Sequence, residues 1–201
     1  PGKALVRRAI VRVVTAGTLT EDVLLDAKAA NWLIALCNVA GVWGLAAADV
    51  STGAFEVSEL GENSLSAELA RYAPSEVVVP ANVKVTSESS ARSPQSISAS
   101  AGVTVMERPA RDFDPARGEA RLRAVHEVAT LDGFGAFTRA EFAAAAGLLA
   151  YLDHAGKGTM PFLAPPTRRT LGDHMAIDAA TRQSLELTCA SGGGRKGSLL
   201  D

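Results

Sequence analysis

The sequence predicts an α/β fold, a mixed β-sheet with helices covering it, on three observations. Residues 31–60 read as three strands joined by two tight turns, an antiparallel meander. A helical stretch separates this meander from the apolar run Glu76-Val77-Val78-Val79, and a crossover of that kind normally produces parallel pairing. Residues 138–151 form the best helix in the chain, Ala-rich and opened by Thr138 with Glu141 three residues on, the capping-box pattern. With 201 residues, 47% hydrophobic and 21% charged, there is enough chain for a real core, and for one domain plus part of another.

Taken in order, residues 5–14 are β-branched and basic and read as a strand with Arg8, Ile10 and Arg12 on one face. Thr15-Ala16-Gly17-Thr18 breaks it, and Thr20-Glu21-Asp22 offers a helix start of a single turn. The meander follows as apolar runs at 33–39 and 42–49, divided by Ala40-Gly41, and a third run at 55–60 after Ser51-Thr52-Gly53. In the third run Phe55 and Val57 alternate with Glu56 and Ser58, so one face is expected dry and the other wet. The middle run, with Gly44 and Ala46, Ala47 and Ala48, lacks polar residues until Asp49. It is expected to be covered on both faces, with room for a helix to come close.

Ser64 and Ser66 are candidate caps for a short helix through Tyr72, in which Leu65, Leu69 and Tyr72 recur at helical spacing until Ala73-Pro74 ends it. Residues 86–102 turn to Ser, Ala and Pro, the composition of a mobile surface loop. A short strand is expected at 103–106. A helix is expected from 112–115 to about Thr130, with Leu122, Val125 and Val128 on one side and Arg117, Arg121, Arg123 and Glu127 largely on the other. Gly156 closes the Thr138 helix. Pro161, Pro165 and Pro166 then crowd residues 158–166, as at a boundary between structural units. Residues 168–177 are strand-like, and Asp178 caps a helix through Leu187 with Leu185 inward. Residues 191–197 read as a flexible loop, and 198–201 start an apolar pattern that stops at once, as at a truncation.

A net charge of -2 leaves no basic excess to grip nucleic-acid phosphates. Cys37 and Cys189 lack CxxC spacing, so neither a disulfide framework nor a zinc site is expected, and the cytoplasm is the default compartment. No run approaches the ~20 apolar residues of a membrane span, and no basic-then-apolar leader opens the chain. Asp49, just before a Ser-Thr-Gly turn, has two readings: a strand-end carboxylate for metal-dependent chemistry, or a turn residue bonding nearby backbone. The second weighs more, because Glu56, Asp112 and Asp114 show no spacing that gathers them around it.

The run from Gly192 to Gly197 formally matches GxGxxG, yet it neither follows a clear strand nor opens a βαβ unit, and Lys196 precedes Gly197 where a phosphate loop needs Ser or Thr. His126, His154 and His174 lack metal-ligand spacing. Cys37 lies in an apolar strand, where a thiol is packing. Trp32 and Trp43 make no stacking platform. The charged side of the helix from Arg117 to about Thr130 has two readings, a solvated face, which weighs more, and a partner contact, for which Arg is suited.

The motifs, in their order, resemble one family, the MutS DNA mismatch-repair proteins. The matching pieces are Arg12-Val13-Val14-Thr15-Ala16-Gly17-Thr18, Asp49-Val50-Ser51-Thr52-Gly53-Ala54-Phe55, Ala67-Glu68-Leu69 with Pro74-Ser75-Glu76, Gly133-Phe134-Gly135, the run from Ala145 to Leu152, and the run from Met175 to Leu187. Ala16 stands where the family usually has proline, and Gln183-Ser184 where Arg-Asn is common. The resemblance implies an internal segment of a longer bacterial protein. Residues 1–18 would be a strand and linker from a missing mismatch-binding domain. Residues 19–163 would be the connector domain, a ribonuclease-H-like mixed sheet with covering helices, and residues 164–201 the truncated beginning of a mostly helical core or lever domain.

The implied role is to link the mismatch-reading domain to the core and ATPase domains and to offer a contact face for MutL, without catalysis. By position that face takes in Ala120, Arg121 and Arg123. The resemblance further implies no cofactor in this segment, ATP and Mg being needed by the full-length protein, which is expected to be a homodimer that meets mismatched DNA through its other domains. The alternative from a different class is a metal-dependent nuclease or phosphotransferase on the same fold, using Asp49.

Overall fold

A computed structural model describes residues 10, 12–19, 30–61, 64–81, 103–170, 177, 179–188, 190 and 196–199. The meander forms as β1 (Trp32–Val39), β2 (Val42–Asp49) and β3 (Ala54–Leu60), paired antiparallel in that order. Helix α1 (Leu65–Tyr72) crosses over to β4 (Glu76–Pro80), which lies parallel beside β1, and β5 (Thr104–Arg108) adds parallel to β4. Helices α2 (Pro115–Val125) and α3 (Arg139–Ala155) follow, then a short β6 (Thr167–Arg169) parallel to β3, and α4 (Ala179–Ser184). The sheet order is β5-β4-β1-β2-β3-β6. An antiparallel meander extended beyond its first strand by two parallel strands is the ribonuclease-H-like arrangement; β6 is added at the far edge. Among the described residues no helix is long and apolar enough to cross a membrane.

Strand alternation sends successive side chains to opposite faces, and here both faces are dry. Leu33, Ala35 and Cys37 of β1 join Ala46, Ala48, Phe55 and Val57 in a core covered by α3. Ile34, Leu36, Leu45, Ala47 and Leu60 form a second core under Leu65, Leu69 and Tyr72 of α1. The small residues of β2 let α3 approach as expected: a Cβ built on Gly44 would lie 1.9 Å from the carbonyl oxygen of Ala140. Helix α3 opens with the anticipated capping box, the Glu141 amide donating to the Thr138 hydroxyl at 3.3 Å and the Thr138 amide donating to the Glu141 carboxylate at 2.7 Å.

Several expectations need correction. The second face of β3 is not wet: Ser58 and Leu60 are buried, Leu60 in the core it shares with α1, and Glu56 accepts from the Tyr72 hydroxyl at 2.6 Å. Ser64 precedes α1 but makes no side-chain cap bond. Helix α2 stops at Val125, well short of Thr130. Glu127 turns left-handed there (φ 52°), while the amides of Glu127 and Val128 donate back to Ala124 and Arg123 at 3.4 and 3.0 Å. That is a Schellman ending, and Val128 keeps the apolar periodicity alive because it folds back onto the core. Leu185 lies beyond α4 and is 55% exposed, not inward.

Residues 12–14 carry no strand. Within the strand-like stretch at 168–177, pairing is seen at Thr167–Arg169. The proline-rich stretch packs on the sheet, with Leu163 buried and the Ala164 amide donating to Gly53 at 2.7 Å. The expectations for residues 5–9, 20–25 and 86–102, for His174, Asp178 and Cys189, and for most of 191–201 fall outside the described residues.

Candidate functional site

Helix α2 begins where the Asp114 carboxylate accepts the amides of Ala116 and Arg117 at 2.9 and 3.1 Å, with Pro115 at the first helical position. Its inner side is fixed by Leu122, 1% exposed, and by Gly118, whose Cβ would fall 2.0 Å from the Phe142 carbonyl of α3. Backbone therefore rests on backbone, and a side chain at position 118 would push the two helices apart. Ala120 and Arg123, three residues apart and so neighbours on the helix surface, both face solvent. Arg123 stands 3.6 Å from Glu119, with both side chains more than 40% exposed, so solvent screens the pair and leaves the guanidinium open to competition. Arg121 does not share this exposure: it is half-buried, and one terminal nitrogen is buried with no hydrogen-bond partner. At the helix end the His126 ring lies against Phe55 and edge-on to Phe134, at 6.5 and 5.7 Å between centroids. Burial lowers its pKa, so it adds no charge to the face at neutral pH.

Asp49 is 1% exposed and accepts three hydrogen bonds, from the Ser51 hydroxyl at 2.6 Å, the Ser51 amide at 2.9 Å and the Asn31 amide at 3.3 Å. The other acidic candidates are engaged elsewhere: Glu56 with Tyr72 and Arg169, Asp112 with Arg108, and Asp114 as the α2 cap. Among the described residues no three Asp, Glu, His or Cys side chains gather so as to hold a metal ion. Cys37 is buried, and burial pushes its thiol up to about 11, consistent with inert packing.

Two buried carboxylates were missed in their tertiary role. Glu76, 1% exposed, accepts the Thr15 hydroxyl at 2.6 Å, the Gly17 amide at 3.0 Å and the Tyr151 hydroxyl at 2.6 Å. The Tyr151 phenol is pushed up to about 12, by burial first and by its bond to Glu76 next. The one signal in the sequence is a glutamate opening a run of valines. Glu141, also 1% exposed, adds to its capping bond an ion pair with Arg168 at 2.9 Å.

Residues 31–163 match the family profile described as MutS domain II. The DNA mismatch repair protein MutS of Zymomonas mobilis subsp. mobilis is 52% identical over 198 residues, 98% of this chain and 22% of that protein. Its counterpart from Erythrobacter litoralis is 49% identical over 198 residues, 98% and 21% of the two chains. That from Paracoccus denitrificans is 45% identical, covering 98% and 22%. The chain thus spans about a fifth of the length of the curated relatives it matches. A solved structure of T. thermophilus RuvC in complex with a Holliday junction substrate is a looser likeness, at 14% identity and a TM-score of 0.37 over 65% of this chain and 99% of that one. The profile match extends over most of the sequence, and relatives at about half identity run along nearly all of it: the chain belongs to the MutS family of DNA mismatch-repair proteins.

Proposed function

We propose that this segment is the connector of a MutS-type protein, a rigid adaptor between a mismatch-reading domain and the core and ATPase domains, with α2 offering a face to MutL. The observation that carries this reading is the seating of α2: Gly118 and Leu122 clamp it to α3 while Ala120 and Arg123 look outward. A surface that signals position must be held rigidly and left uncovered, and α2 meets both demands.

In this reading residues 1–18 lead in from the mismatch-binding domain and residues 164–201 begin the core domain. ATP and Mg serve the full-length protein, which works as a homodimer and reaches mismatched DNA through its other domains. In this reading the segment itself is an adaptor and not a catalyst, which is supported by Asp49 bonding Ser51 and Asn31 in its turn rather than meeting the other acidic candidates.

The test is a MutL binding titration with the full-length protein carrying Arg123→Glu. An exposed rim charge acts chiefly through association, so affinity is expected to fall about threefold to tenfold at low salt and by less as salt is raised. An unchanged affinity at low salt removes α2 from the interface. Arg121 is a poor probe, because its half-buried guanidinium would confound binding with folding.

A further inference from the structure

We infer that α3 is a strut tying the leading segment, residues 12–18, to the edge strand β6, with Glu76 and Glu141 as the positioning residues that lock them to its two ends. This inference rests on the adaptor reading above. Near its C-terminus α3 holds the leading segment twice. Tyr151 donates to Glu76 at 2.6 Å, Glu76 accepts Thr15 and Gly17 at 2.6 and 3.0 Å, and the Val13 amide donates to the Ala155 carbonyl at 2.9 Å. The Asn31 side chain adds a bond to the Ala16 carbonyl at 2.9 Å.

In the first turn of the same helix, Glu141 takes Arg168 of β6 at 2.9 Å, and Arg169, pointing to the opposite face of the sheet, is taken by Glu56 at 3.0 Å. The two lock points on α3, Glu141 and Tyr151, are ten residues and therefore ~15 Å apart along a stiff helix. At Gly44 that helix meets the sheet backbone to backbone, a Cβ there falling 1.9 Å from the Ala140 carbonyl oxygen, so helix and sheet are in close contact near the Glu141 lock. A displacement of residues 12–18 thus moves α3, and with it α2 and β6, instead of peeling the segment away.

Both carboxylates are buried: Glu76 accepts Thr15 and Gly17 of the leading segment as well as Tyr151, and Glu141 pairs with Arg168 while also accepting the Thr138 amide at the start of α3. Removing a donor leaves a buried charge short of a partner, so opening should concentrate at the lock and not spread through the helix.

Amide hydrogen exchange of the full-length protein tests this, with Tyr151→Phe and Thr15→Val as unlocking variants and Thr15→Ser as the conservative rescue. Exchange over residues 13–17 is expected to speed up about tenfold or more in the first two. It should stay near wild type in Thr15→Ser, with residues 143–150 unchanged throughout. Unaltered exchange at 13–17 overturns the lock, and equal acceleration along all of α3 overturns it too, since Glu76 would then be general core support.

A second readout separates a strut from a mere anchor: the factor by which mismatched duplex stimulates MutL binding is expected to fall at least threefold in Tyr151→Phe, at unchanged duplex affinity. Full stimulation from a segment that exchange shows to be loose overturns the strut. Failure of the adaptor reading would appear instead as MutL binding indifferent to Arg123→Glu, with the exchange pattern intact.

Discussion

At Gly44 a single methyl group decides whether the sheet and its covering helix can meet. The nearest atoms to a built Cβ are backbone, the Ala140 carbonyl oxygen at 1.9 Å and its carbon at 2.4 Å, so no side-chain rotation makes room. Gly44→Ala is expected to destabilise the fold by at least about 1–3 kcal/mol, the range of overpacked cores, read as a lower urea midpoint at unchanged slope. Gly61, with open space around its Cβ position, is the control: Gly61→Ala should stay within about 0.5 kcal/mol of wild type. Equal midpoints for both variants would refute the close approach of α3. That small residues of β2 admit a helix was legible in the sequence, because size is a property of each residue alone. The half-burial of Arg121 was not, since helical spacing gives a residue's direction but not how far a neighbouring helix reaches around it.

Among the elements, the β1–β2 hairpin shows how a sequence sets its own turn. Its two-residue loop needs φ above zero at both positions, and Ala40 and Gly41 adopt 53° and 89°. Gly41 does so freely; Ala40 is strained, and the Asn38 side chain steadies the loop by accepting the Gly41 amide at 3.0 Å. Ala40→Asn is expected to stabilise the protein by about 0.5 kcal/mol or more, seen as a higher thermal midpoint; a lower midpoint would contradict this turn geometry. Helix α2 is the opposite case. Its left-handed closing residue is Glu127, with neither Gly nor Pro to announce the end, so periodicity alone ran it on to Thr130. A three-residue strand such as β6 has too few positions for alternation to reveal it at all.

For the whole molecule, a sheet covered on both faces and a chain of net charge -2 combine a dry core with no overall basic excess of the kind that grips nucleic-acid phosphates. The isolated segment is expected neither to hydrolyse ATP nor to prefer a mismatched duplex over a paired one in a binding assay. Measurable turnover in a clean preparation, or a mismatch preference, would overturn the adaptor reading.

The meander, its crossover, the two-face coverage of β2 and the capping of α3 could all be read along the chain, because alternation, turn chemistry and caps act between residues a few positions apart. The family, too, was legible from the order of its short motifs. The locks could not be read. Glu76 meets Thr15 and Tyr151 across separations of 61 and 75 residues, and Glu141 meets Arg168 across 27. Periodicity holds no record of such pairs; they exist because the sheet and α3, once packed, bring distant donors to buried carboxylates that would be costly to leave unpaired.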